Sequence, residues 1–193
     1  MPRILKDLKG FPKPFKVEVG SGGFGREKWD EWIHTDPHVP EGEHHIEIEC
    51  FAWELPFEDA SIGHIYGRGM WEHMNYRQCT LAFEEWLRIL IPEGIIEFNF
   101  PPVDHAIKLY NQGKVNWIFL RGLLWGWQKF DLDTHQSGWT AEMIHDFLEK
   151  YQSKLQKKDI FPGYHHTDGT IVPVESLDSW DQGVHIWVRT IKG

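Results

Sequence analysis

Residues 61–100 hold the pattern that most narrows the fold. SIGHIYG at 61–67 reads as a strand, weakened by Gly63. From 78 to 90, apolar side chains fall at Cys79, Ala82, Phe83, Trp86, Leu87 and Leu90, the i, i+3, i+4, i+7 stripe of an amphipathic helix. Asn75 supplies an N-cap, Ile91-Pro92-Glu93-Gly94 a stop, and IIEFNF at 95–100 a buried strand ending at Pro101-Pro102. Strand, helix, strand at this spacing is a crossover unit, and a crossover joins parallel neighbours in one sheet.

The alternation extends upstream. A strand at 16–19 runs into a glycine loop, a second at 32–35 ends at Asp36-Pro37, and IEIEC at 46–50 has the period of two of a third. Downstream, Thr140 caps a helix over about 141–154 with Ile144, Phe147, Leu148 and Tyr151 on one face. Strands near 155–161 and 184–191 then read as a hairpin closing the sheet edge. Residues 103–137 are different: Trp-rich, weakly periodic, with helix expected only around 117–127. They read as an insertion, either an apolar lid over an acceptor or a homo-oligomer surface, with the lid preferred. The 193 residues show no repeat or linker and are expected to form a single domain.

Composition removes several function classes. Twenty Lys and Arg against 29 Asp and Glu, a net charge of -9, leave little basic surface for a phosphate backbone, so nucleic acid is not an expected partner. The basic residues Arg3, Lys6, Lys9, Lys13 and Lys16 read as a solvated terminus. Cys50 and Cys79 sit in apolar patterns and read as buried, reduced thiols of a cytoplasmic protein. The opening residues lack the apolar core of a signal peptide, and the most apolar window, 117–127, is too short for a bilayer and carries Arg121. No membrane partner is expected. Of the twelve histidines, the pairs His44-His45 and His165-His166 point to opposite faces of an extended chain, and no HExxH or Cys/His ligand spacing occurs. No metal site is expected.

The stretch KVEVGSGGFG at 16–25 satisfies GxGxxG. A dinucleotide site also needs a full helix after the loop, whose N-terminus binds the pyrophosphate. Only REKWDE separates Gly25 from the second strand, and Asp36 comes too early for an acid about 20 residues beyond the fingerprint. A Walker loop fails because no Gly-Lys-Ser/Thr follows. S-adenosylmethionine has no pyrophosphate and tolerates the shortened segment.

Several stretches, in order, resemble class I S-adenosylmethionine-dependent methyltransferases of the broad type 11 group. Glu18-Val19-Gly20-Ser21-Gly22-Gly23 is similar to the family's (D/E)xGxG, and Asp36-Pro37 stands where its ribose-binding acid follows the second strand. FAWELPFEDASIGHIY at 51–66 resembles DAxxLPFxDxSFDxVY, Trp71-Glu72-His73 resembles LEH, and FEEWLRILIPEGIIEF at 83–98 resembles xEExxRVLKPGGxLxI. A weaker echo, HQSGWTAEMIHDFL, covers 135–148.

The resemblance implies an α/β fold: a Rossmann-like, mostly parallel seven-stranded sheet with helices on both faces, a reduced first helix and a C-terminal antiparallel hairpin. It implies that Gly20, Ser21, Gly22 and Gly23 pack their backbone against S-adenosylmethionine, that Glu18 reaches its ammonium directly or through water, and that Asp36 accepts from both ribose hydroxyls. Phe51 and Ala52 would flank the adenine, while Gly67, Arg68, Met70 and His73 would line the methyl side. Phe51 replaces the acid that commonly meets the adenine amino group, and Glu93 stands in a Lys-Pro-Gly-Gly turn. The expected activity is methyl transfer to a small-molecule or saccharide-type acceptor. If a general base takes part, His135 is the first candidate and Asp104 the second. The rival is a non-catalytic cofactor-binding or assembly protein on the same fold.

Overall fold

Among the described residues, nine strands, numbered β1 to β9 in chain order, form one sheet in the order β1-β4-β3-β2-β5-β6-β9-β7-β8. The structure, a computed structural model, describes residues 1–22, 31–42, 45–165, 171–174 and 185–193. The segment expected to hold the reduced first helix, 23–30, thus lies outside the described residues, and Gly23 with it.

Strand β2 (Phe15–Val19) is the hub. It pairs in parallel with β3 (Trp32–Asp36) on one side and β5 (Ile62–Gly67) on the other. Outside these lie β4 (Ile48–Glu49), parallel to β3, and β6 (Leu90–Phe100), parallel to β5. The chain therefore steps outward to β4 and returns on the far side of β2, a reversal that opens a crevice at the carboxyl ends of the strands. The expected hairpin is present: β9 (His185–Lys192) runs antiparallel to β6, and β7 (Leu155–His165) antiparallel to β9. Seven strands match the expectation. Two short antiparallel edges, β1 (Arg3–Ile4) and β8 (Ile171–Pro173), go beyond it.

Helix α1 (Tyr76–Ile89) begins at a reciprocal cap: the Asn75 side chain accepts from the Gln78 N–H at 3.0 Å, and Gln78 accepts from the Asn75 N–H at 2.9 Å. The expected stop at 91–94 is a bulge inside β6, where the register against β5 slips between Ile62 and His64. There Glu93 takes a φ of 62°, and a Cβ on Gly94 would meet Leu90 at 2.6 Å.

The stripe of α1 packs on the Ile96 and Phe98 side of β6. Trp71, in a short 3-10 turn (Trp71–His73), stacks on Phe98 at 4.3 Å and meets Trp86 of α1 and Phe147 of α4 (Ala141–Glu149) at 5.7 and 5.6 Å. Much of the unusual Trp content is thus core, since Trp71, Trp86 and Trp187 are all fully buried. Trp86 also donates its indole N–H to the Ala52 carbonyl at 3.0 Å, which fixes the loop after β4 against the helix. Thr140 caps α4 through the Met143 N–H at 3.1 Å as expected; the helix ends at Glu149, and a 3-10 turn (Gln152–Lys154) completes the expected span.

The opposite side of the strands is polar. His34 on β3 stands 3.5 Å from Glu18 on β2 and 3.0 Å from Glu47, while Glu97 on β6 pairs with His64 at 2.7 Å and with Arg189 on β9. In the insertion, α3 (Trp117–Trp125) is the expected helix, and α2 (Val103–Asn111) was hidden by weak periodicity. Trp117, Ile118, Trp125, Trp127 and Phe130 remain exposed. No helix among the described residues is long and apolar enough to cross a membrane.

Candidate active site

A cleft of about 630 Å³ opens at the carboxyl ends of β2, β3, β4 and β5, the size range of small-molecule sites. A second depression, about 490 Å³, lies along the N-terminal residues from Ile4 to Phe15, away from the strand ends.

The loop after β2 is hooked onto β3: the N–H groups of Gly20 and Ser21 both donate to the Thr35 carbonyl, at 2.9 and 3.1 Å. Gly20 and Gly22 have φ of 66° and 67°, a region that disfavours side chains. Their surroundings differ. A Cβ on Gly20 would strike Met70 at 2.6 Å, whereas one on Gly22 would find nothing within 4 Å. Gly20 thus makes room for Met70, and Gly22 leaves open space in the cleft.

Asp36 ends β3 and lines the cleft. Its Oδ2 accepts from the Gly22 N–H at 2.8 Å and its Oδ1 from the His38 N–H at 2.7 Å. Burial pushes its pKa up, and these two bonds oppose the rise. A carboxylate offers about four acceptor sites, so each oxygen keeps one beyond its backbone bond.

Parallel ring pairs form two walls. Phe51 stacks on Trp53 at 4.7 Å after β4, and His38 stacks on Phe130 of the insertion at 4.8 Å. Besides Phe130, the insertion contributes Leu132, Asp133 and Gln136 to the lining. It is laced down beside the cleft: the Gln136 and Ser137 N–H groups donate to the Glu72 carbonyl at 2.8 and 3.2 Å, and Ser137 Oγ donates to the Met74 carbonyl at 2.6 Å. The insertion therefore supplies part of the cleft wall, whereas the tryptophans on which the lid reading rests, Trp117, Trp125, Trp127 and Trp139, do not line it.

Just after Met70 in the chain, Glu72 and His73 are joined by the sequence-distant His135, with one donor atom of each within 4.8 Å of the others. His73 Nδ1 meets the Leu132 carbonyl at 3.0 Å, and His135 Nδ1 meets the Leu123 carbonyl at 2.9 Å. Glu72 is buried, and its Oε2 has no hydrogen-bond partner among the described residues. Burial pushes the Glu72 carboxyl up to about 8. Burial also lowers both histidines, His135 to about 4 with the neighbouring His73 adding to the effect. The Cys50 thiol in the lining is held by burial at about 12, an inert group.

The fold brings Gly20, Gly22, Asp36, Phe51, Ala52, Met70 and His73 together around one cleft. Ser21 is buried beside it, and Gly67 lies under Met70, where a Cβ would come within 3.1 Å. Glu18 is not in the lining; it sits in the polar cluster with His34. Arg68 and Asp104 are exposed and outside the lining, and His135 stands behind His73 at 4.8 Å between rings. Sequence reasoning missed His38, Trp53, Gln78, Phe130 and Gln136. Gln78 carried a local signal at the N3 position of a capped helix, and Trp53 and Gln136 fall within the motif stretches at 51–66 and 135–148.

Comparison of the whole architecture with solved structures decides the fold. A methyltransferase of Archaeoglobus fulgidus superposes with a TM-score of 0.56 at 12% identity, over 96% of this chain and 87% of that one. This is the fold of the class I S-adenosylmethionine-dependent methyltransferases. A methyltransferase of Thermotoga maritima, described as a possible histamine N-methyltransferase, gives a TM-score of 0.56 at 14% identity, over 93% of this chain and 82% of that one. The 1,6-didemethyltoxoflavin-N1-methyltransferase of Burkholderia thailandensis, with that acceptor and S-adenosylhomocysteine bound, gives 0.54 at 14% identity, over 95% and 72%. No protein-family model matches the chain, and no curated protein matches it in sequence.

Proposed function

We propose that the chain is an S-adenosylmethionine-dependent methyltransferase with a small-molecule acceptor, bound in the cleft at the strand ends. The observation that carries this is Asp36, a buried carboxylate at the end of β3 with spare acceptor capacity beside the open space at Gly22. The residues present fit the cofactor. Asp36 holds the two ribose hydroxyls, the backbone from Val19 to Gly22 runs along the methionine portion, and Ala52 with the Phe51 and Trp53 pair flanks the adenine. When bound, the cofactor supplies an electrophilic methyl group on sulfonium sulfur. The protein contributes orientation and exclusion of water.

Met70 and His73 form part of the wall where the acceptor enters, in a cleft that the His38 and Phe130 stack also lines. Those planar faces and the apolar Leu132 and Met74 favour a flat, partly aromatic acceptor over a free saccharide. His73 lines the cleft whereas His135 and Asp104 do not, so it is the imidazole nearest an entering acceptor.

The test is release of S-adenosylhomocysteine from methyl-labelled cofactor across a panel of aromatic amines, phenols, N-heterocycles and sugars. Acceptor-dependent release, strongest with a planar ring, is expected. Cofactor binding with no turnover on any class would assign the cleft to the non-catalytic rival.

A further inference from the structure

The geometry points to a divalent transition-metal site built from Glu72, His73 and His135. These residues come from two separate parts of the chain, yet one donor atom of each lies within 4.8 Å of the other two. Two further observations make this a ligand set instead of a chance cluster.

The first is the state of the two imidazoles. Each ring presents Nδ1 to a backbone carbonyl, His73 to Leu132 at 3.0 Å and His135 to Leu123 at 2.9 Å. A carbonyl accepts only, so each Nδ1 carries the proton and each Nε2 keeps its lone pair. This is the outer-shell arrangement that fixes tautomer and ring orientation in metal-binding histidines. The second is Glu72, 5% exposed, whose Oε2 has no hydrogen-bond partner among the described residues. A buried carboxylate oxygen without a partner is costly, and a cation supplies the missing interaction.

Two imidazole nitrogens and one carboxylate oxygen suit zinc and the neighbouring divalent transition ions, whereas Mg²⁺ and Ca²⁺ prefer oxygen alone. Bonds of about 2.0–2.2 Å place tetrahedral donors about 3.3–3.6 Å apart, so ligands spread over as much as 4.8 Å draw in by up to about 1.5 Å on binding the ion. Three protein ligands leave coordination positions open. The open side is toward the cleft, because His73 lines it and Gly69, also in the lining, is positioned so that a Cβ there would lie 3.8 Å from Glu72 Oε1. On the methyltransferase reading, those positions take an oxygen or nitrogen of the acceptor.

The test needs no cofactor and no acceptor. The metal-free protein is titrated with Co²⁺, followed by its visible ligand-field absorption, and then with Zn²⁺ in competition. One equivalent is expected to bind, with Glu72→Gln and His135→Asn each weakening it by at least about tenfold, the lower bound set by losing even an outer-shell partner. His135→Asn retains an amide N–H for the Leu123 carbonyl while deleting Nε2, so it keeps the fold if Glu72→Gln does not. No stoichiometric binding, undiminished binding in both variants, or a preference for Mg²⁺ over Zn²⁺ would overturn the site. Because the readout is metal binding, its failure leaves the methyltransferase reading standing, and the reverse also holds.

Discussion

The carboxylate of Asp36 holds the backbone N–H of Gly22 at 2.8 Å, tying the end of β3 to the glycine loop that follows β2. One side chain thereby shapes the loop and faces the cleft. The same oxygen pair caps the turn at His38, whose N–H lies 2.7 Å away. Loop geometry and ligand capacity are coupled through a single residue.

The two loop glycines serve different ends, and alanine substitutions separate them. Gly22→Ala carries only the cost of a left-handed backbone, about 1–2 kcal/mol, because its Cβ meets nothing within 4 Å. Gly20→Ala adds a collision with Met70 Cβ at 2.6 Å and should cost more. Urea denaturation of both variants is expected to rank Gly20→Ala as the less stable. Equal losses would mean that Met70 does not constrain the loop.

Glu93 holds a φ of 62° in the exposed bulge of β6, where glycine is the residue suited to that backbone. Glu93→Gly removes the strain and should raise stability by about 1 kcal/mol, visible as a higher Tm in calorimetry. A lower Tm would show that the carboxylate makes a compensating contribution.

The polar side of the sheet sets an acid limit. Burial alone would raise Glu47 and Glu97, but His34 and Lys6 around the first, and His64 and Arg189 around the second, bring both below the ordinary value of 4.5. A carboxylate with a lowered folded pKa adds stability that is complete above its unfolded pKa and is lost as the pH falls through the folded value. The contribution of these two carboxylates should therefore hold down to about pH 5 and be lost below about 4.5, and comparing the parent with Glu97→Gln separates it from the titrations of Glu72, His73 and His135 at higher pH. Glu97→Gln should be less stable at neutrality and show a shallower acid decline. An unchanged decline would remove Glu97 from the account.

Much of this fold was legible because local signals agreed. The α1 stripe, the Asn75 cap and the strand beyond them specify a crossover, and the structure shows that unit with a capping box at Asn75. Asp36 was legible by register, since an acid ending the strand after a glycine loop reaches the same crevice. α2 was not, because its buried residues, His105, Ala106 and Leu109, give no sustained apolar stripe. The approach of His135 to Glu72 and His73 was also invisible: it depends on how Ser137 and Gln136 lace the insertion onto the residues after β5. A search for fixed ligand spacings cannot find a set assembled that way. Glu18 shows the converse, a motif acid whose side chain the fold directs to His34 on the polar side of the sheet.

The most direct test of the central claim is calorimetric titration with S-adenosylhomocysteine of the parent protein and of Asp36→Ala, with a thermal melt of each. The account predicts saturable binding by the parent and a loss of about 1–3 kcal/mol in the variant, the scale for unpaired polar partners. Absence of binding by the parent, or equal affinity in a folded Asp36→Ala protein, would contradict it.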